Sequence, residues 1–205
     1  MNSIQRYSEI RIYPNFEHEY DLQKYWRARL KTRGGIFIDV GANVGVYTIA
    51  LADLFDKVYA VEPWYADQLR MNLRDYGVDN VEVIEAAAWD FNGVVIIGIV
   101  RVDNGVGVPK VGLADRVVKA VKLDDVISEP FRLLKVDVEG EAIHVLRGMT
   151  RLLKQSSGYA QIEVHNHGES HGTYLFMTDH GWKLEETLRE RAEGDKYHAH
   201  KVYVK

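Results

Sequence analysis

The chain has 205 residues, of which 46% are apolar and 27% charged, and its formal net charge is −4. This length suits one sizeable α/β domain, and the charge gives no strong attraction to nucleic acid or to a membrane surface. The lack of cysteine excludes disulfides, cysteine-ligated zinc and a cysteine nucleophile. The longest apolar stretch, residues 94–100, is too short to span a bilayer, and the first residues have no signal-peptide core. We therefore expect a cytoplasmic protein without a membrane span.

Hydrophobic periodicity predicts helices and strands that alternate along the chain. Aromatic and leucine residues recur at helical spacing over residues 17–33, and Gly34 and Gly35 are expected to end this helix. Strands are predicted at 36–40, 57–63, 80–90, 131–140 and 159–165, and helices at 44–55, 65–77, 141–155 and 170–181.

The middle and the end of the chain have a different pattern. Residues 94–102 and 116–127 are β-rich and flank residues 103–112, whose three glycines and one proline predict a loop. Residues 182–188 and 196–205 are expected to form a terminal antiparallel hairpin.

This alternation predicts an α/β fold with a mostly parallel, doubly wound sheet. We divide the chain into an N-terminal helical extension, residues 1–34, and the α/β domain, residues 35–205. Ligands of such sheets bind at the carboxyl ends of the strands. An acidic or histidine side chain lies at or just after each of five predicted strand ends: Asp39, Glu62, Glu85, Asp137 with Glu139, and His165. Any one of these residues alone is most simply a solvated charge. Because all of them lie at or just after strand ends, together they predict a ligand-binding site.

The first strand leads through a glycine-containing loop, "DVGANVG", into a helix. Gly41 and Gly45 permit positive φ and close approach of a ligand, and Asn43 is of the non-glycine type most tolerant of the left-handed region. Glu62 ends the second strand, where a carboxylate usually binds ribose hydroxyls. Asp39 would repel the pyrophosphate of a dinucleotide but suits the cationic groups of S-adenosylmethionine. We therefore favour S-adenosylmethionine as the cofactor.

Six segments of the chain together resemble a known family. They are "IDVGANVGVYTIALA", "VYAVEP", "VEVIEAAAWDFNG", "VKLDDVI", "LLKVDVEGEAIHVLRGM" and "QIEVH". In this order they resemble the FkbM family of S-adenosylmethionine-dependent methyltransferases. The resemblance implies a Rossmann-like, seven-stranded class I methyltransferase fold and O-methylation of a hydroxyl on a sugar, glycan or small metabolite. It also implies a cofactor site formed by Asp39, Gly41, Asn43, Gly45 and Glu62, with Glu85 and Ala87 near the adenine.

Methylation of a hydroxyl benefits from a base, because a hydroxyl is a poor nucleophile while it keeps its proton. Asp137 and Glu139 follow the fourth strand on the same side of the chain, and His165 ends the neighbouring strand. We predict that Asp137 and His165 orient the acceptor and supply the base, and that Glu139 orients His165 or the acceptor. Glu139 could equally interact with the dipole of the following helix, and His165 could be a structural histidine.

The segment "HNHGESH" raises the question of a metal ion. His165 and His167, with Asp137 and Glu139, offer nitrogen and oxygen ligands. Histidine pairs of this spacing on loops are common without metal, and we assign no metal ligand from the sequence.

Four further residues have an ordinary interpretation beside a functional one. His198 and His200 lie in an alternating strand pattern and are predicted on the surface. Trp64 and Trp89 follow strand ends and are candidates for the wall of a substrate pocket, although such residues more often pack in the core.

Two other functions stay open. RNA ribose 2′-O-methylation is also hydroxyl chemistry, although no separate RNA-binding domain is visible and the net charge is negative. A non-catalytic cofactor-binding scaffold would keep the fold, although the acids after the fourth and fifth strands argue against it. Acceptor specificity is expected in the N-terminal helix and in residues 103–112 and 166–172, because loops commonly carry specificity. The terminal hairpin offers an edge for pairing in a homodimer.

Overall fold

The computed structural model describes residues 12–103, 106–111, 116–193 and 196–205. Its helices are α1 Tyr20–Arg29, α2 Val46–Leu51, α3 Ala66–Asp75, α4 Leu123–Val126, α5 Ala142–Arg147, α6 Thr150–Gln155 and α7 His167–Asp179. Its strands are β1 Ile36–Val40, β2 Lys57–Val61, β3 Val81–Ile84, β4 Ala87–Ala88, β5 Gly93–Asp103, β6 Val106–Val111, β7 Arg116–Val121, β8 Leu133–Val136, β9 Tyr159–Val164, β10 Lys183–Glu193 and β11 Lys196–Val204.

Seven strands form one sheet in the order β10-β11-β9-β8-β1-β2-β3. Strands β3, β2, β1, β8 and β9 are parallel, and β11 is antiparallel to both β9 and β10. The chain moves outward from β1 through β2 and β3 and resumes on the other side of β1 with β8. This reversal leaves a crevice at the carboxyl ends of β1 and β8, where ligands of open α/β sheets bind. The predicted fold class, including the antiparallel terminal hairpin, is confirmed.

Both faces of the central sheet are covered, which explains why its middle strands are buried along their length. All four residues of β8 and four of the five in β1 are buried. One face packs on a cluster that includes Leu146 and Met177, and the other packs on Leu22 and Trp26 of α1. The helix predicted before residue 34 is therefore part of the packed structure, while the proposed domain boundary stays a prediction.

A second, four-stranded sheet has the order β4-β7-β5-β6 and corrects one expectation. Residues 103–112 were expected to form a loop, but β6 pairs antiparallel with β5 from Asp103↔Val106 to Ile97↔Val111. Val106 and Val108 are two residues apart, as on one face of a strand, and β6 is an edge strand, where proline is tolerated. The glycines and the proline therefore predicted a loop where the structure has the strand β6. Residues 104, 105 and 112 lie outside the described part of the chain.

Two predicted helices have different boundaries in the structure. The helix expected over 141–155 is split into α5 and α6 at Gly148, where a Cβ atom would lie 1.9 Å from the carbonyl oxygen of Trp89. Helix α7 begins at His167, because Asn166 Oδ1 accepts a hydrogen bond of 2.8 Å from the backbone N–H of Glu169. This is an N-cap, which an Asn three residues before a Glu could have indicated. His167 is therefore helical, and its ring packs on Tyr197.

Candidate active site

The loop after β1 is built around left-handed residues. Gly41, Asn43 and Gly45 have φ values of 80°, 52° and 99°, so Asn43 takes the conformation that the sequence suggested. A Cβ atom on Gly41 would lie 1.9 Å from the carbonyl oxygen of Asp137. The loop can therefore pass close to the end of β8 only if residue 41 is glycine.

Asp39 lies under this loop and is fully buried. Its Oδ2 accepts a hydrogen bond of 2.6 Å from Thr48 Oγ1, while its Oδ1 has no hydrogen-bond partner in the described part of the chain. Burial raises the pKa of Asp39, and the nearby ammonium of Lys135 opposes this rise. Asn43 Oδ1 is also buried without a hydrogen-bond partner among the described residues. Two buried acceptor atoms, one in β1 and one in the loop after it, would suit a ligand that brings hydrogen-bond donors.

Glu62, at the end of β2, fastens the loop to the neighbouring strand. Its carboxylate accepts hydrogen bonds from three backbone N–H groups, those of Asn43 (2.8 Å), Trp64 (2.6 Å) and Tyr65 (2.9 Å). Burial raises the pKa of Glu62, although these three N–H groups favour the charged form. A carboxylate has about four acceptor positions, so about one is left for a ligand.

The two residues expected near an adenine are placed differently. Ala87, in β4, is buried and lines the cavity described below. Glu85 is exposed, and its carboxylate accepts a hydrogen bond of 2.8 Å from Arg70 on α3. The structure therefore does not bring Glu85 to the other candidate residues, because Arg70 holds its side chain on the outer surface.

A cavity of about 540 Å³ joins the loop after β1 to the charged end of the sheet, and this volume is typical of small-molecule sites. Its wall includes Asn43, Glu62 and Ala87 as well as Asp137, Glu139 and Glu163. Of the two tryptophans considered above, Trp89 is part of this wall and stacks on His144. The guanidinium of Arg116 lies over the ring of Trp64, 5.8 Å from its centroid.

The residues predicted to act on the acceptor converge after β8 and β9. His165 Nε2 lies 3.5 Å from Glu139 Oε2, and Lys135 Nζ donates a hydrogen bond of 3.1 Å to Asp137 Oδ2. Glu139 has a φ of 53°, a sparsely populated conformation for a non-glycine residue. Burial and the neighbouring Glu163 raise the pKa of Asp137 to about 7, against the effect of Lys135.

His165 is surrounded by carboxylates. Burial alone would lower its pKa, but Glu163 and Glu169, together with the charge of Asp137, raise it to about 10. The imidazole is therefore protonated at neutral pH in the described structure. A protonated imidazole cannot accept a proton, so Asp137 is the better candidate for the base.

Four residues of this region were missed or misplaced by the sequence patterns: Glu19, Glu163, His198 and His200. His200 is fully buried, and its Nε2 lies 3.0 Å from Glu19 Oε1, so its prediction as a surface residue is wrong. His198 lines the cavity and is hydrogen-bonded to Glu163. The reason is the pairing of β11 with β9, which places His200 opposite Glu163. The alternation in "YHAHK" was the available signal, but it does not say which face is covered.

Glu19 brings the N-terminal helix to the cavity. It is 7% exposed and has a φ of 52°, and its carboxylate accepts hydrogen bonds from Tyr47 Oη (2.8 Å) and Arg189 Nη1 (2.6 Å). Burial would raise its pKa, but the contact with His200 outweighs burial and lowers the pKa to about 2. Glu19 thus links α1 to α2 and to the terminal hairpin.

None of the helices in the described part of the chain has the length and apolar character required to span a bilayer.

Comparison with known proteins relates the fold to methyltransferases. A family profile described as "Methyltransferase FkbM domain" matches residues 39–184. The structure of methyltransferase FkbM from Methylobacillus flagellatus KT is similar, with a TM-score of 0.60 and 17% identity over 88% of this chain and 46% of that chain. The present chain therefore spans about half the length of that relative. Comparison with curated protein sequences finds no match.

Two further solved structures have the same fold over nearly their whole length. An rRNA methylase from Streptococcus thermophilus has a TM-score of 0.60 and 16% identity, over 90% of this chain and 94% of that chain. A methyltransferase from Streptococcus mutans, in complex with SAH, has a TM-score of 0.60 and 14% identity, over 90% and 96% of the two chains. At these identities the similarity concerns the fold.

The residues at the end of β1 and in the loop after it suit S-adenosylmethionine as the cofactor. The unpartnered Asp39 Oδ1 and Asn43 Oδ1 match the ammonium and hydroxyl donors of S-adenosylmethionine, and Glu62 keeps an acceptor position facing the same cavity. The family profile covers more than half of the chain. The protein therefore belongs to the FkbM methyltransferase family, and its cofactor is S-adenosylmethionine.

Proposed function

We propose that the protein methylates a hydroxyl group of a sugar, glycan or small metabolite. The observation that carries the proposal is that one cavity is lined both by the loop after β1 and by Asp137 and Glu139. A proton acceptor therefore faces the space next to the expected methyl donor. This arrangement suits a neutral hydroxyl, which must lose a proton as it is methylated.

The cofactor end of the cavity would be formed by residues of the first two strands and of β4. Asp39 and Asn43 would accept hydrogen bonds from the donor groups of the methionine part. Glu62 would accept a bond from a ribose hydroxyl, and Ala87 would lie against the adenine. When bound, S-adenosylmethionine supplies an electrophilic methyl group on a sulfonium. Glu85 is not included, because it pairs with Arg70 outside the cavity.

At the acceptor end, Asp137 would orient the hydroxyl and take its proton as the new oxygen–carbon bond forms and the carbon–sulfur bond breaks. Lys135 binds the other oxygen of the same carboxylate and so fixes its position. Glu139 would hold the acceptor or His165, and the protonated His165 would balance the negative charge of this group. Most of the rate enhancement would come from holding the acceptor oxygen in line with the methyl group.

The proposal is tested with radiolabelled S-adenosylmethionine and a panel of sugars, glycans, lipids, small metabolites and RNA. We expect label on a hydroxyl-containing sugar, glycan or small metabolite. For Asp137→Asn we expect a kcat lower by about 100-fold or more, with unchanged cofactor affinity. Label on RNA alone would favour ribose methylation instead. Cofactor binding without transfer to any class would favour a non-catalytic scaffold.

A further inference from the structure

Three side chains from two adjacent strand ends form a group with the dimensions of a metal site. Asp137 and Glu139 follow β8, and His165 follows β9. One donor atom of each residue lies within 4.8 Å of the donor atoms of the other two. His165 Nε2 and Glu139 Oε2 are 3.5 Å apart, which is longer than a normal N–H···O hydrogen bond. It is close to the roughly 3.0–3.4 Å between two ligands that each lie about 2.1 Å from one ion.

His165 has a carboxylate near the ring nitrogen that would not bind the ion, although the two do not form a hydrogen bond in this structure. Metal-bound histidines usually direct the ring nitrogen that does not bind the metal at a carboxylate or carbonyl oxygen. His165 Nδ1 is buried without a hydrogen bond among the described residues, and it lies 3.8 Å from Glu169 Oε2. Glu169 is itself held by the backbone N–H groups of Ala142 (3.1 Å) and His165 (2.8 Å). His165 Nε2 is directed at two other carboxylates, with Glu139 Oε2 at 3.5 Å and Glu163 Oε1 at 3.4 Å.

The charges around the group also have to be compared. Lys135 donates to Asp137 Oδ2, which leaves Oδ1 for another partner, and its ammonium opposes a second cation nearby. The carboxylates of Asp137, Glu139 and Glu163 offset the charge of this ammonium. Glu163 Oε1 lies 3.4 Å from His165 Nε2. Glu163 is also hydrogen-bonded to His198, so Asp137 and Glu139 are the carboxylates that would bind a positive ion.

We propose that Asp137, Glu139 and His165 bind one divalent cation. Histidine binds a metal only in its neutral form, so the ion would displace the proton that the His165 imidazole carries without it. Two carboxylate oxygens and one imidazole nitrogen suit a Mn²⁺-type ion, because oxygen ligands suit Mg²⁺ and Mn²⁺ whereas imidazole suits transition metals. Asp137 and Glu139 line the cavity, so the remaining coordination positions would face the acceptor. There the ion would bind the acceptor hydroxyl and lower its pKa, so that even a metal-bound carboxylate could receive the proton. Only this role rests on the proposed function; binding of the ion does not.

The test is a calorimetric titration of the full chain with MnCl₂ alone, repeated by electron paramagnetic resonance of free Mn²⁺. We expect one bound ion per chain and an affinity at least tenfold weaker for His165→Ala and Glu139→Gln. The matched control is His144→Ala. His144 is also half-buried between two carboxylates, with Nδ1 2.8 Å from Asp90 Oδ2, but it is not part of a three-donor group in the described residues. His144→Ala should bind Mn²⁺ like the wild type.

Circular dichroism and S-adenosylhomocysteine affinity show whether the variants are folded. Absence of Mn²⁺ binding at millimolar concentration, or equal binding by folded His165→Ala, would overturn the inference. If methyl transfer proceeds in the presence of a chelator while no Mn²⁺ binds, only the metal site is wrong. If Mn²⁺ binds as expected but no acceptor is methylated, the proposed function is wrong instead.

Discussion

Glu62 and Glu85 are both predicted to lie in the cofactor site, but in the structure Glu62 is buried and Glu85 is exposed. They therefore form a matched pair for mutation. Glu62 is buried and accepts three backbone N–H groups, one of them from Asn43 in the loop after β1. Glu85 is exposed and pairs with Arg70. We expect Glu62→Gln to weaken cofactor binding strongly and Glu85→Gln to leave it nearly unchanged.

The size of the effect follows from the hydrogen bonds. A glutamine has one carbonyl oxygen, so its NH₂ group would face at least one of the three N–H groups, which then loses its acceptor. Losing a hydrogen bond to a buried charged group costs about 1.5–3 kcal/mol. If the cofactor-bound state alone bears this cost, the Kd for the cofactor increases roughly ten- to 150-fold. The exposed Glu85–Arg70 pair contributes about 0–1 kcal/mol to stability and does not touch the cavity.

Isothermal titration with S-adenosylhomocysteine measures the two Kd values, and thermal unfolding reports on the fold. The expected result is a Kd raised at least tenfold for Glu62→Gln and changed less than about threefold for Glu85→Gln. The reasoning would be refuted if folded Glu62→Gln bound like the wild type, or if Glu85→Gln weakened binding to the same degree.

Two other substitutions test the packing around the cavity. Gly41→Ala places a methyl group 1.9 Å from the Asp137 carbonyl oxygen at a φ of 80°, so we expect it to lose about 2–5 kcal/mol of unfolding free energy in urea; a loss below about 1 kcal/mol would show that the loop can move away. The pKa of Glu19 is lowered from 4.5 to about 2, so its carboxylate stabilises the fold above pH 4.5, by about 3 kcal/mol, and loses this effect as the pH falls towards 2. Glu19→Gln should therefore be less stable than the wild type at pH 7, and the difference should shrink at pH 3; an equal difference at both pH values would contradict the assignment.

The parts of the site that are contiguous in sequence could be predicted well. The loop from Gly41 to Gly45 and the acid at the end of β2 are local features, because φ requirements and strand ends are visible in a short stretch. Asp137, Glu139 and His165 were also brought together as expected, since parallel strands end at the same edge of the sheet.

The parts that depend on the order of distant strands could not be predicted. His200 is buried because it lies on the face of the sheet that Glu19 contacts, with Glu19 Oε1 3.0 Å from His200 Nε2, and the pairing of β11 with β9 sets it opposite Glu163. That pairing joins segments about 40 residues apart in sequence, and the alternation within β11 alone leaves the covered face undecided. Glu85 was misplaced for a similar reason, since the contact with Arg70 depends on how α3 packs beside β3.

The loop after β1 and the group around Asp137 are expected to serve one bound ligand, because both line the same cavity. A crystal structure of the protein with S-adenosylhomocysteine tests it most directly. We expect the ligand in the cavity, with a ribose hydroxyl in hydrogen-bond reach of Glu62 and its sulfur on the side of Asp137 and Glu139. A ligand bound elsewhere, or one whose sulfur is directed away from Asp137, would contradict it.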